Sequence, residues 1–501
     1  MNSPINRQLF FRIFLILCLT LSPKGQAEDL LEVFQLAHMN DPTLETAKET
    51  QLAARENLPQ ARALFLPVVG GTAIYQSNNN SNAFNTINFE TMPPSVEIIP
   101  PTTVNFKQTT FTLSLTQPVP YYREWVQYSK ANSQVKSANA TYAAAEQDLI
   151  VRVVQNYFNV LKAYDALIFS KANRKAFAKL LEQSQERFKV GLIAITDVEI
   201  ARAQHDNALS QEITAEATLG DQKEILYQST IKPIQSFYFL TDNLKLRPPE
   251  PTNVEKWVQT ALQQNFPLQA SRFGVTASRY DIDLNRAGHL PTIGINANAQ
   301  RASSTPLAPN TLNKFVNLQV TMPIFNGGLV NSKTRQAAHV YRQTEKQMEV
   351  LFRQTERNAR QFYRGVITQM NQVAALKQSI ISNTSALRAT QDSFSVGTRT
   401  IVDVLNAQTN LIQAQQNYAS ARYDYIVQSI QLKQAAGTLS CDDIRHINAW
   451  LTKSQKEHLK TALPTFTDPK SNSATDSFEK ESFQLRSKEL KAWEAIPLDS
   501  E

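Results

Sequence analysis

The stretch Phe188-Lys189-Val190-Gly191-Leu192-Ile193-Ala194-Ile195-Thr196-Asp197-Val198 returns 206 residues later as Phe394-Ser395-Val396-Gly397-Thr398-Arg399-Thr400-Ile401-Val402-Asp403-Val404. In each copy a Val-Gly pair parts two long runs of helix-forming residues. The glycine therefore reads as the left-handed cap between two helices, and each copy marks the tip of a helical hairpin. Upstream of the first tip, Ile150, Val154, Tyr157, Leu161, Tyr164 and Ile168 step by four and three; Ala359, Phe362, Val366, Gln369, Val373, Leu376 and Ile380 do so before the second. This is the seam of a coiled coil. Leu411, Tyr418, Tyr425 and Leu432 add a seven-residue step in the last helix. No proline interrupts Tyr121 to Arg187 or Asn331 to Phe394, so each predicts one helix of roughly 100 Å at about 1.5 Å per residue. The seams are rich in Ala, Gln and Tyr, which favours hairpins packed side by side; a plain antiparallel coiled-coil spacer is the simpler alternative.

The repeat extends well beyond the tips. Val33 to Pro67 has a counterpart in Val258 to Pro291, with Pro42 matching Pro267 and Leu66-Pro67 matching Leu290-Pro291. Gln117-Pro118-Val119 matches Met322-Pro323-Ile324, and Tyr157-Phe158 matches Phe362-Tyr363, both at a shift of 205. The chain is an internal duplication. Each half reads as short helix, helix, strand, loop, strand, very long helix, tight turn, long helix. The expected division is a leader over 1–27, a first repeat over 28–230, a joint over 231–252, a second repeat over 253–439 and a C-terminal segment over 440–501. From Ala462 onward the composition predicts a disordered tail.

Strands are expected near Val68–Ser77 and Thr109–Val119, a hairpin over 68–119, and near Ile293–Arg301 and Val316–Ile324, a hairpin over 293–324. In the last, Val316, Leu318, Val320 and Met322 fall on one face and Asn317, Gln319 and Thr321 on the other. Such alternation at a length of about ten residues suits a membrane barrel strand with one lipid face and one lumen face, and an ordinary soluble hairpin would share the pattern. Asn78 to Lys107, with its Asn-rich run and the pairs Pro93-Pro94 and Pro100-Pro101, reads as a long surface loop; Ala302 to Asn313 reads as a shorter one.

Arg7 and Arg12, the apolar run Ile13–Leu21 and Gly25-Gln26-Ala27 read as a secretion leader, with cleavage expected after Ala27. Loss of Arg7, Arg12 and Lys24 takes the net charge of +7 to +4. The remaining Lys and Arg residues are scattered, without the basic stripe and stacking aromatics that nucleic acid requires. Only Cys441 survives cleavage and the six His lack ligand spacing, so neither an internal disulfide nor a metal site or other cofactor is expected.

Four strands per chain cannot enclose a lumen, because lipid tolerates no open sheet edge and the smallest closed barrels have about eight strands. Two copies would give eight strands and a filled interior, and three copies twelve strands and a passage.

The layout, Phe188 to Val198, Ser395 to Leu405 and Gln434-Ala435-Ala436-Gly437-Thr438-Leu439 resemble the TolC family of outer-membrane efflux proteins, over nearly everything from Leu30 to Leu439. The resemblance implies a mainly α chain with a membrane β-barrel: a homotrimer whose twelve-stranded barrel, four strands per chain, continues into an α-helical coiled-coil barrel through the periplasm. It further implies an equatorial domain from the mid-chain joint and C-terminal segment. The partners it implies are outer-membrane lipid, a periplasmic membrane-fusion adaptor and an inner-membrane pump of RND, ABC or MFS type. The expected function is a passive exit duct for efflux or type I secretion, in the outer membrane of a Gram-negative bacterium, with no catalytic residues.

By the same resemblance Gly191, Leu192, Gly397 and Thr398 form the tip that meets the adaptor, although capping alone accounts for either glycine. Asp403 would face the lumen at the narrow end, where three copies form a ring that favours cations and raises the carboxyl pKa values by mutual repulsion. Thr400 and Asp403 also make an N-terminal capping box, and Thr196 with Glu199 offers another. Asn406 stands where well-known members carry a second Asp, so an amide ring replaces one ring of charge. Phe394 stands where a Tyr is common; it has no hydroxyl to offer Asp197, so that closing link is expected to be missing. Arg399 with Thr196 or Asp197 is the remaining gate contact, against the alternative of a solvated surface pair.

Two rival readings differ in class. An exported coiled-coil adhesin or tether explains the rods and the leader but not the matched β-hairpins. A periplasmic enzyme lacks any Ser-His-Asp order, phosphate-cradling loop or carboxylate pair in this sequence.

Overall fold

The computed structural model describes residues 29–88, 95–120, 122–234, 236–241, 244, 246–305 and 308–452, with backbone alone for 80–104, 308 and 309. The expected leader and the segment from 453 onward lie outside these residues.

Helix α1 (Leu30–Asn40) opens on a capping box between Asp29 and Glu32, and α2 (Pro42–Arg55) is capped by Asp41, whose carboxylate accepts from the Thr43 and Leu44 amides. A short α3 (Asn57–Ala63) leads into strands β1 (Val68–Asn88) and β2 (Ser95–Pro118). The rod α4 (Tyr122–Lys189) runs unbroken for 68 residues and returns as α5 (Ile195–Thr230). After the short strand β3 (Phe239–Leu240) the order repeats: α6 (Val254–Gln264), α7 (Phe266–Arg286), β4 (Thr292–Thr305), β5 (Ala308–Thr321), the 67-residue rod α8 (Leu329–Ser395) and α9 (Ile401–Ala436). Helix α10 (Cys441–Asn448) and β6 (Leu451–Thr452) close the described chain.

Most of the coiled-coil steps read from the sequence are buried: Ile150, Val154, Tyr157, Leu161 and Ile168 on α4, Ala359, Val366, Val373 and Ile380 on α8, and Leu411, Tyr425 and Leu432 on α9. Tyr164, Phe362, Gln369, Leu376 and Tyr418 are only half-buried, so on α8 the buried seam narrows to every seventh residue. Beyond the reach of α5, the half of α4 nearer the strands is flanked by the short helices. Gln51 of α2 donates to Asn139 (2.9 Å), and Ser137 donates to the Ala270 carbonyl of α7 (2.8 Å).

The strands depart from expectation in length. Asn78 to Lys107 is largely paired hairpin rather than loop, in register from Val68 opposite Thr116 to Asn88 opposite Ser95, with one shift between Asn82 and Phe84. That shift faces Pro100-Pro101, which have no N–H to donate to a ladder. Most of Ala302 to Asn313 is likewise strand. Asn, Ser and Thr look like loop residues, yet a ladder needs only backbone groups, and a hairpin that rises beyond lipid can be polar on both faces.

The two hairpins join through β2 and β4, from Lys107 opposite Thr305 to Pro118 opposite Gly294, giving one antiparallel sheet in the order β1-β2-β4-β5. Strands β1 and β5 are therefore its open edges. Mid-chain and C-terminal segments meet in a second, two-stranded sheet of β3 and β6.

Near this small sheet the helices are pinned by buried phenols. Tyr157 donates to the Tyr238 carbonyl and accepts from the Tyr238 amide, both at 3.0 Å, and Tyr423 donates to Asp165 at 2.8 Å. Burial pushes both phenols well above their ordinary pKa. They stay neutral donors across the whole physiological range.

At the end of α9, Gly437 takes the left-handed conformation (φ 75°), and a Cβ there would stand 2.3 Å from the Gln264 carbonyl oxygen. The Gly437→Ala variant should lose about 1–3 kcal/mol from backbone strain alone, with the clash added to it. Thermal unfolding of the purified variant should show a clear drop; an unchanged midpoint would refute this account of the cap.

Candidate functional site

Because paired residues of an antiparallel ladder share a face, the register sorts the large sheet into two surfaces. One carries Val69, Ala73 and Tyr75 of β1, Phe111, Leu113 and Leu115 of β2, Ile293, Ile295, Ala297 and Ala299 of β4, and Leu312, Val316, Leu318 and Val320 of β5. Phe111, Leu113, Val316 and Leu318 are each more than half exposed in the single chain. The opposite face is mostly Thr, Ser, Asn and Gln: Thr110, Thr112, Ser114 and Thr116; Asn296, Asn298 and Gln300; Thr311, Asn313, Asn317 and Gln319. A sheet greasy on one side and hydrogen-bonding on the other suits lipid outside and water inside. Among the described residues no helix is long and apolar enough to cross a membrane.

At the other end of the rods, both tips adopt one motif. Gly191 (φ 76°) donates to Phe188 and Leu192 donates to Arg187; Gly397 (φ 81°) donates to Phe394 and Thr398 donates to Ser393, all within 2.9–3.1 Å. Only a residue at ease in the left-handed region closes such a turn. The apolar side chains of Val190, Leu192 and Val396 project from the tips, each about 70 % exposed or more. Val190 and Val396 were within reach of sequence reading as apolar residues beside capping glycines.

Asp403 sits in the expected capping box. Its Oδ2 accepts from the Thr400 amide (3.0 Å) and hydroxyl (2.9 Å), while its own amide donates to Thr400 Oγ1 (3.3 Å). The Thr400 amide, then its hydroxyl, and more weakly Arg399 hold the Asp403 carboxyl below the usual carboxylate range. A depressed pKa means that this helix-start stabilisation is present above the ordinary value of 3.8 and lost as pH falls through the lower folded value. Within one chain the shift is thus opposite to that expected of a ring, because mutual repulsion needs further copies.

The box expected from Thr196 and Glu199 does not form. Helix α5 starts two residues earlier than that box requires, at Ile195, with Ala194 as its cap and no side-chain bond to it. Ala194 occupies the place that Thr400 holds in the second copy and has no oxygen to offer, and Glu199 pairs with Arg202 instead (3.0 Å). Asp197 is half-buried and Thr196 exposed in the first turn of α5. Arg399, in the turn just before α9, lies 4.0 Å from Asp403 rather than bonded to either of them.

Phe394 is buried, and its partner is one the sequence did not reveal. The Arg187 guanidinium lies 4.3 Å from the centre of its ring and donates to its carbonyl (3.3 Å). This ties the end of α4 to the end of α8. A second unforeseen feature is a polar stripe up α9. Asp403, Asn406, Asn410, Gln413 and Asn417 step by three and four on a face that stays accessible, while Val404, Leu405, Leu411 and Ile412 are buried. The helical period of the amides, read as the complement of the apolar seam, would have found it.

A sheet with a lipid face, continuous with rods whose accessible stripe is lined with amides, defines the class: an outer-membrane exit duct built on helical hairpins. The comparisons agree. The outer membrane efflux protein family matches residues 33–230 and 257–438. The chain is 34 % identical over 445 residues to outer membrane protein TolC of Vibrio cholerae, covering 87 % of this chain and 97 % of that protein. It is 32 % identical over 472 residues to TolC of Escherichia coli, covering 91 % of each. Among solved structures, the CmeC outer membrane channel of Campylobacter jejuni superposes with a TM-score of 0.70 at 19 % identity, over 84 % of this chain and 89 % of that one, which speaks for the fold. The chain belongs to the outer membrane efflux protein family. It is an outer-membrane exit duct for efflux or type I secretion.

An arginine stacked on an aromatic face contributes about 0.5–1 kcal/mol at an accessible site. Arg187→Ala should therefore loosen the junction of the two tips and raise single-channel conductance in planar bilayers, with Arg187→Lys intermediate. Equal conductance in all three proteins would show that the stack holds nothing shut.

Proposed function

We propose that the working unit is a homotrimer in which β5 of each copy pairs with β1 of the next. Twelve strands then close one barrel, and six helical hairpins form a tunnel that runs from it through the periplasm. The observation that carries this reading is the pair of open edges on a sheet with a lipid face: each unpaired backbone group there would cost several kcal/mol. Cleavage after Ala27 during export gives a mature chain that begins at Glu28, as its N-terminal sequence would report.

Conduction breaks no bonds and so calls for no catalytic group. The tips, with Gly191, Leu192, Gly397 and Thr398 at the turns and Val190 and Val396 beside them, offer an apolar crown to a periplasmic adaptor. An inner-membrane pump of RND, ABC or MFS type supplies the energy and chooses the cargo. Thr196, Asp197, Phe394 and Arg399 lie at the junction that must part when the tunnel opens, and the Arg187 stack takes the place of the missing phenol link.

Asp403 sets the constriction, with Asn406 one turn above it. Threefold symmetry brings three Asp403 carboxylates together, and their repulsion opposes the downward pull of the Thr400 cap on the pKa. The ring favours cations; Asn406 adds dipoles but no charge. In planar bilayers with a salt gradient the reconstituted protein should prefer cations, with weaker divalent block than a channel bearing two acidic rings, and Asp403→Ala should abolish the preference. Strong divalent block that survives Asp403→Ala would refute the assignment.

A further inference from the structure

Among the described strand side chains only three are charged: Lys107 on β2, Arg301 on β4 and Lys314 on β5. All are basic and exposed, and the register puts all three on the apolar, lipid-side face. Arg301 pairs directly with Phe111 and with Leu312; Lys314 pairs with Ala299 and Lys107 with Thr305. The opposite face, which would meet water in the lumen, has no charged residue among those described. This is the reverse of the distribution that solvation alone would give, since charge is cheap in water and penalised against lipid.

Height along the strands removes the paradox. The helices join the sheet at Val68, Pro118, Thr292 and Thr321, and the strand ends Asn88, Ser95, Thr305 and Ala308 lie at the other end. Counting from Ile293, the row of Arg301 is eight residues up β4, roughly 20 Å of membrane thickness at about 3.3 Å per residue and a tilt near 40°. Lys314 is one row pair lower and Lys107 two row pairs higher. The cations thus begin in the last two apolar rows and continue above them, toward the rim farthest from the helices. Lys314 and Arg301 are diagonal neighbours, about 7–8 Å apart at Cα, near enough to share one anion. Their long side chains can lay their stems on Phe111, Leu312 and Val316 and lift their charged heads outward.

The geometry points to a lipid-binding rim: Arg301 and Lys314, with Lys107 above, recognise the phosphate groups of an anionic glycolipid in the outer leaflet, at one site per protomer. The guanidinium of Arg301 takes a phosphate in bidentate fashion, Lys314 adds a second charge from below, and Phe111 and Leu312 contact the acyl chains. The inference rests on the barrel reading, and its test separates the two. The full-length protein, purified in detergent, is offered bisphosphorylated lipid A or the same lipid stripped of phosphate, and bound lipid is counted by native mass spectrometry.

The phosphorylated lipid should be retained through detergent washing and the stripped lipid lost. A combined K107Q, R301Q and K314Q variant should hold it at least about tenfold more weakly, the smallest loss expected for one charge-assisted hydrogen bond. The charge-keeping K314R should retain it, and serves if the triple variant does not assemble. Equal retention of both lipids, or undiminished retention by R301Q and by the triple variant, would overturn the phosphate site while leaving the barrel intact. A particle that takes up neither detergent nor lipid would overturn both.

Discussion

An unpaired backbone amide or carbonyl has no partner in hydrocarbon, and every larger feature of this molecule answers to that fact. The two halves of the duplicated chain each supply one hairpin, and the hairpins meet at β2 and β4 in a single sheet that still leaves β1 and β5 open. In water such edges would be a modest liability, but against a lipid face they must be closed. Because the rods α4 and α8 follow directly from β2 and β5, whatever closes the sheet also rings the helices, which is how a barrel and a tunnel come to share one axis in the proposed assembly.

The duplication is not perfect, and its lapses fall at the tips. Thr400 caps α9 while Ala194, in the matching place, cannot cap α5. Arg187 reaches across to Phe394, whereas the residue matching Arg187 in the second copy is Ser393, which has neither length nor charge. The link between the tips is thus supplied by the first copy alone, with no matching contact from the second.

Much of this was legible in the sequence because long helices advertise themselves. Ile150 to Ile168 and Ala359 to Ile380 keep their period over many turns, and Gly191 and Gly397 punctuate them without ambiguity. The strands were read too short because alternation fades above Ser77 and beyond Arg301, where the ladder continues on backbone groups that no side-chain pattern reports. The place of Asp403 at a constriction came only from the family resemblance, but its box with Thr400, a local pattern within four residues, was legible. The Arg187 stack was not, since its partner lies 207 residues away and only the packing of two tips brings the ring beneath the guanidinium. The amide stripe of α9 was hidden for a different reason: attention to apolar steps passes over the polar face that a conduit needs.

The mass of the mature, unheated protein in detergent tests the central claim most directly. After subtraction of bound detergent, native mass spectrometry or sedimentation should give three chains per particle, and the same fraction should form pores in a planar bilayer. A single-chain particle, soluble without detergent and unable to conduct, would contradict the account.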